Sequence, residues 1–380
     1  MALMRTVARL ATSALAVSLA LAACARQGDG NGGSNGGGAE DNKLFVYNWS
    51  DYIADGVLVD FKKETGIDVT YDFFDSNELL QSKLLQGNTG YDVVVPSASF
   101  LEREVKAGSL QKLDKSLLPN LKNLDPALMQ RVARHDPGNE HGIVYLWGTS
   151  GVGYNEEKIR AALADAPVDS FAMFYDPAIV AKFKDCGVAL LDAPSEVVGT
   201  VLLYLGKDAN SENLDDLAAV EKVLLSIRPY VRYVNSSKYI EDLANGEICL
   251  ALGWNGDVFQ ARDRARDAGK TFTIRYNIPK QGAIQFFDML AVPSDAKHVK
   301  NAHRFIDFLM RPDVAARNSN FRRYATINSA AWPQLVPEVK TNPGIYPPAE
   351  VQTRLVPDLA KSAVYTRQLI RTWTRFKTGK

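Results

Sequence analysis

The stretch Val46-Tyr47-Asn48-Trp49-Ser50-Asp51-Tyr52-Ile53 constrains this chain more than any other. Lys43 to Asn48 reads as a strand, which breaks into Trp-Ser-Asp-Tyr before an amphipathic helix, Val57 to Glu64. Thr65-Gly66 ends that helix, and Ile67 to Tyr71 reads as the next strand. Strand, helix and strand in so short a length make a βαβ unit with a parallel pair, hence an α/β fold. Ligands of open α/β sheets sit beyond the carboxyl ends of the strands. This strand end carries an indole, a hydroxyl, a carboxylate and a phenol. An aromatic face beside a carboxylate suits an organic ammonium, through cation–π attraction and a charge-assisted hydrogen bond. Trp49 and Tyr52 would serve equally as core anchors and Asp51 as a helix cap, so the segment alone leaves both uses open.

The pattern recurs further along. Asn77 to Gln86 reads as a helix stopped by Gly87, and Tyr91 to Val95 as a buried strand broken by Pro96. Ser97-Ala98-Ser99-Phe100 then opens a helix through Lys106. Gly142 to Trp147 is a further strand. The glycine-rich Gly148 to Asn155 lacks the third glycine and the βαβ frame of a dinucleotide fingerprint, and reads as a crossover between two lobes. Pro194-Ser195-Glu196 opens a helix. Ser237 to Gly246 is another, and Ile248 to Leu252 is a short strand that ends in Gly253-Trp254-Asn255-Gly256-Asp257. In the strand Ile284 to Met289, alternation puts Phe286 and Asp288 on one face. Trp49/Asp51, Trp254/Asp257 and Phe286/Asp288 are thus three aromatic–acid pairs at or in strands. Tyr324 falls in a loop-like segment after the helix Ala302 to Met310, and Val351 to Lys380 reads as helical.

Residues 1–24 are set apart from this body. Arg5 and Arg9 form a positive n-region, Leu10 to Leu21 an apolar core too short for a spanning helix, and Leu21-Ala22-Ala23-Cys24 resembles the bacterial lipobox. The segment reads as a lipoprotein signal peptide with Cys24 as the lipidated residue. Residues 25–42, with the run Gly28 to Gly38, have little to bury and read as a flexible tether. Lipid, tether and body describe a protein held at a membrane but facing the space outside the cytoplasm. Cys186 and Cys249 remain as an even pair in an oxidising compartment, which reads as a disulfide, although sequence alone does not set the geometry that a bridge needs.

The chemistry that is missing narrows the function. With 44 basic against 44 acidic residues and no basic stripe, the chain does not read as a nucleic-acid binder. His135, His141, His298 and His303 have no metal-ligand spacing, and no P-loop or nucleophile elbow occurs. No metal, cofactor or catalytic residue is therefore expected. His298 and His303 read as surface residues, and the alternating charges of Arg262 to Arg266 as a solvated helix face. Aromatics and acids without a nucleophile suit binding of a small, positively charged, partly apolar molecule. Each charge removed from water costs several kcal/mol, so each must be paired in the site.

The body from Lys43 to Lys380 resembles the polyamine-binding proteins of bacterial ABC transporters, particularly the putrescine-binding type. The resemblance rests on Tyr47 to Ile53, on Val94 to Arg103, on Asp242-Leu243-Ala244-Asn245-Gly246 and on Asn342-Pro343-Gly344-Ile345-Tyr346-Pro347-Pro348. It implies a two-lobe type II periplasmic-binding-protein fold with two hinge crossovers. Lobe 1 would be 43–147 and 285–332, and lobe 2 would be 148–284 and 333–380. Trp49, Tyr52, Trp254, Phe286 and Tyr324 look like the aromatic box, Asp51, Glu196, Asp257 and Asp288 like the amine-binding acids, and Ser50 and Ser97 like their polar partners. Cys186 and Cys249 match a family disulfide. Ser50-Asp51, Ser99, Phe100, Ala193 and Phe286 are similar to the putrescine type. Val356-Pro357-Asp358 departs from the usual apolar stretch, and its extra acid would admit a longer amine or agmatine.

The resemblance implies an extracytoplasmic receptor whose lobes close on a diamine before an ABC permease recognises them, and nothing in the sequence suggests more than a monomer. Spermidine, agmatine and cadaverine are alternative ligands. Two other classes share the fold. A thiaminase-like transferase would use Cys186 or Cys249 as a free thiolate, which a thiol count on unreduced protein separates. A polyamine sensor would hand the closed form to a signalling receptor, and only its partner separates it.

Overall fold

The computed structural model describes Glu40 to Gly379, so the leader, most of the tether and Cys24 lie outside the described residues. Among the described residues ten strands join in one hydrogen-bonded sheet: β1 (Lys43–Trp49), β2 (Asp68–Phe74), β3 (Val93–Val94), β4 (Gly142–Asn155), β5 (Val188–Leu190), β6 (Tyr233–Val234), β7 (Leu250–Trp254), β8 (Ile274–Asn277), β9 (Ala283–Ala291) and β10 (Leu355–Pro357). Their order is β2-β1-β3-β9-β4-β7-β5-β6, with β10 on β9 and β8 on β4.

The expected βαβ unit is present. β1 and β2 pair in parallel from Lys43↔Asp68 to Trp49↔Phe74, so the second strand is longer than Ile67 to Tyr71. The helix between them, Val57–Thr65, stops at Gly66, whose φ of 74° is left-handed and whose N–H bonds Lys62 O. Only glycine takes that conformation at no steric cost.

The glycine-rich run read as a crossover is built as strand. Gly148 to Asn155 is the second half of β4, a 14-residue buried strand. Gly142 to Thr149 pairs antiparallel with β9, and Ser150 to Tyr154 then pairs with β7. The glycines serve close packing instead of a turn. A Cβ at Gly151 would lie 2.5 Å from Asn277 O, and one at Gly153 would lie 2.6 Å from a Val258 methyl carbon. The tail is also not continuous helix. β10 pairs in parallel with Ala283 to Gln285 of β9 before the helix Ala363–Thr378 begins. Pro357 ends that strand, since it offers no N–H to a ladder.

The histidines expected at the surface are structural. His303 is 1% exposed. Its Nδ1 donates to Val299 O at 2.7 Å, and its Nε2 accepts from Asp114 N at 2.9 Å. His298 lies between Asp92 and Asp41, at 2.8 and 2.6 Å. Cys186 and Cys249 form a disulfide with Cα atoms 5.4 Å apart, which ties the turn before β5 to the residue before β7. Both thiols are thereby used, so neither is available as the thiolate of a transferase.

Candidate ligand-binding site

The strand ends converge on one cavity. It is a cleft with about 410 Å³ of space, part of it open to solvent, lined by Trp49, Ser50, Tyr52, Asn77, Ser97, Glu196, Trp254, Asp257, Phe286, Asp288 and Tyr324. Ten of the residues singled out in the sequence lie here, drawn from β1, β7, β9, the segments between them and the segment after the helix Pro312–Arg322. The lining holds three carboxylates, and no lysine or arginine is among its residues.

Each acid is held by neutral donors. Asp288, on β9, accepts from Tyr52 OH and from Ser97 Oγ, both at 2.6 Å. Ser97 is fixed in turn by Asn77, whose Oδ1 accepts from Ser97 N at 2.9 Å. Asp257 accepts from Tyr324 OH at 2.6 Å and from Tyr239 OH at 2.8 Å. Glu196, in the first turn of the helix Pro194–Tyr204, accepts from Trp254 Nε1 at 3.0 Å and from Ser150 Oγ.

These donors satisfy lone pairs but supply no positive charge. Burial pushes Asp257, Asp288 and Glu196 each up to about 7, against the downward pull of their hydroxyl and indole partners. For Glu196, Asp358 and Asp288 add a further upward push through like charge. A carboxylate that stays charged in such surroundings needs a cation. The site therefore has space, apolar walls and three acids in want of a counter-charge.

The walls are aromatic. Trp49 and Trp254 meet edge to face at 5.5 Å, and Tyr52 and Tyr324 do so at 5.0 Å. Phe286 lies 6.4 Å from Trp254 and 6.2 Å from Tyr324. Trp49 is itself anchored, with its Nε1 donating to Val95 O at 2.9 Å. Rings held in this way offer faces to a cation and edges to a methylene chain.

Asp51 is the exception among the expected site residues. Its φ of 54° is left-handed, a conformation that Asp tolerates. Its carboxylate is directed away from the cavity lining and bonds Arg264 Nη2 at 2.6 Å, with Arg322 Nη1 at 3.6 Å. The segment Arg262 to Arg266 is accordingly more than a solvated face. Arg264 reaches Asp51, and Asp263 accepts from Arg323 Nε at 2.7 Å. Sequence reasoning missed Asn77 and Tyr239. Asn77 reads as an ordinary helix start after the N-cap Ser76, and Tyr239 as a core residue of the helix Lys238–Asn245. Only the fold shows their hydrogen bonds.

The comparisons with known proteins agree with this geometry. The chain is 52% identical over 344 residues to the putrescine-binding periplasmic protein PotF of Escherichia coli, covering 90% of this chain and 93% of that one. It is 51% identical over 346 residues to the putrescine-binding periplasmic protein SpuD of Pseudomonas aeruginosa, covering 90% and 94%. Among solved structures, the spermidine/putrescine ABC transporter substrate-binding protein PotD of Streptococcus pneumoniae superposes with a TM-score of 0.70 at 28% identity, covering 88% of this chain and 98% of that one. Residues 57–347 match the bacterial extracellular solute-binding proteins, and the chain belongs to that family.

Proposed function

We propose that this chain is an extracytoplasmic solute-binding lipoprotein that captures a polyamine, foremost putrescine, and delivers it to an ABC permease. The observation that carries the reading is the cavity itself: three buried carboxylates, no cationic residue in the lining, and aromatic walls between. The relatives named for putrescine binding support the diamine, and their periplasmic names support that location. The lipobox at Cys24 and the glycine tether add a membrane anchor to a monomeric body. The role is binding and release, without turnover.

Capture would proceed by closure of two lobes, 43–147 with 285–332 and 148–284 with 333–380. The change of partner along β4, from β9 to β7 between Thr149 and Ser150, is the feature that supports a hinge there. Asp288 and Asp257, with Tyr52 and Tyr324, would pair one ammonium, and Glu196 with Trp254 the other. Differential contact with acids from both lobes would favour the closed form. Calorimetric titration with putrescine, cadaverine, agmatine and spermidine tests the reading. Saturable one-to-one binding of putrescine is expected, and no binding of any amine would overturn it.

A further inference from the structure

Tyr239, on the helix Lys238–Asn245, is fully buried and stands outside the cavity lining. Its hydroxyl nevertheless bears on the site twice. The oxygen accepts from Trp254 N at 3.1 Å, which holds the backbone of the residue whose indole serves Glu196. A backbone N–H can only donate, so the phenol proton is left for Asp257 Oδ2, 2.8 Å away. Tyr324 OH donates to the other oxygen, Oδ1, at 2.6 Å. The carboxylate is thus gripped by one phenol on each oxygen.

The run Gly253-Trp254-Asn255-Gly256-Asp257 is shaped for this grip. A Cβ at Gly253 would lie 2.6 Å from Tyr239 Cε2 and 3.1 Å from its Cζ, and one at Gly256 would overlap the Tyr324 ring. Neither glycine is among those with a positive φ, so what each supplies is room for a ring and not a turn.

The surroundings of Asp257 leave the two phenols a real task. Burial pushes the acid up to about 7, and the hydroxyls of Tyr324 and Tyr239 pull against it. Asp51, beyond β1, adds an upward push, and Arg264, on the helix of Asp257 itself, a downward one. Gln260 Nε2 lies 3.4 Å from Oδ1, and its own oxygen accepts from Arg322 Nη1. Tyr52 and Glu196 complete the titratable groups on this side, the first coupled to Asp257 and the second to Tyr239. Burial, and then the charge of Asp257, holds the Tyr239 phenol well above its ordinary range, so it stays a donor.

We infer that Tyr239 is a positioning residue of the amine site, which from outside the lining keeps the Asp257 carboxylate ionised and aimed at an ammonium, with Gly253 as the residue that lets it reach. The inference rests on the polyamine reading proposed above. A hydroxyl that donates to a carboxylate favours its charged form. Without that hydroxyl Asp257 stays protonated to a higher pH, and an ammonium must displace the proton in order to bind. The penalty is present at and below neutral pH and fades as pH rises.

The test is calorimetry of putrescine binding to wild type, Tyr239→Phe and Gly253→Ala at pH 6 and at pH 9, with a thermal melt of each variant to show that it is folded. Asp288 and Glu196 are left in place in all three proteins, so the ratio of variant to wild-type affinity isolates Asp257. The expected loss in Tyr239→Phe is about tenfold greater at pH 6 than at pH 9, the effect of one pKa unit. Gly253→Ala keeps the hydroxyl but crowds the ring away, and it should show a loss of the same pH sense. Where one variant alone folds, that variant decides. A loss equal at both pH values would make Tyr239 a structural strut and overturn the inference while the polyamine reading stands, as would an unchanged affinity or the failure of both variants to fold. Wild-type protein that binds no amine at either pH would overturn the polyamine reading, and this inference with it.

Discussion

At the scale of single residues, the acids of the cavity are the centre of the account. Asp288 is 3% exposed and is satisfied only by Tyr52 and Ser97 hydroxyls. Asp288→Asn should weaken putrescine binding by roughly 2–5 kcal/mol, because an ammonium would be left poorly paired in a desolvated site. Calorimetry reads this directly, and an affinity within about threefold of wild type would contradict the role. The same acids fix a pH dependence. Asp257, Asp288 and Glu196 stand at about 7 without ligand, above their ordinary range, because burial disfavours the charge. An ammonium pairs with the ionised form, so binding must release protons near and below pH 7. The rise in Tm on adding putrescine should therefore be larger at pH 8 than at pH 5. A rise that shrinks as pH increases would carry the wrong sign. Trp49, Trp254, Phe286 and Asp288 were legible in sequence because each falls in a strand, and Asp257 because it opens the helix just after β7. Asp51 does not line the cavity in this structure, and its carboxylate bonds Arg264, a contact that no residue pattern announces.

At the scale of elements, the strands carry the site and the bridge braces them. The Cys186–Cys249 disulfide closes a loop with a sequence separation of 63 beside the β5–β7 pairing. Removing a crosslink of that span by Cys186→Ser with Cys249→Ser should destabilise the fold by about 2–5 kcal/mol. Urea unfolding measures it, and an unshifted midpoint would contradict the bracing role. The βαβ start and the short buried strands were readable from apolar runs and glycine stops. β4 was half legible. Gly148, Gly151 and Gly153 show no strand pattern in sequence, yet neighbouring segments of the chain crowd each of them, and crowding is a tertiary fact. β10 was hidden for a related reason: Leu355-Val356-Pro357 is too short to show a period and becomes a strand only because β9 lies alongside.

At the scale of the whole molecule, the proposed closure should answer to ligand more than to surface charge. The Asp51–Arg264 pair joins residues far apart in sequence, but both side chains are about a third exposed (34% and 37%). Such a pair contributes about 0.2–1 kcal/mol and is screened by salt. Arg264→Ala should thus raise the putrescine dissociation rate a few-fold at most, with the difference fading at high salt in stopped-flow fluorescence. A hundredfold change would make the rim pair, and not the buried acids, the main holder of the closed state. The α/β class followed from the first thirty residues of the body, whereas the fit between distant segments did not. Tyr52 to Asp288, Glu196 to Trp254 and Ser99 to Asp358 are contacts that only the assembled chain makes. The central claim is that the buried acids bind a cation at each end of one ligand. Its most direct test is paired calorimetric titration with putrescine and with butylamine, which has the same four carbons but one ammonium. The account predicts saturable putrescine binding and butylamine binding weaker by at least about a hundredfold, or roughly 3 kcal/mol. Equal affinities, or no heat with putrescine, would contradict it.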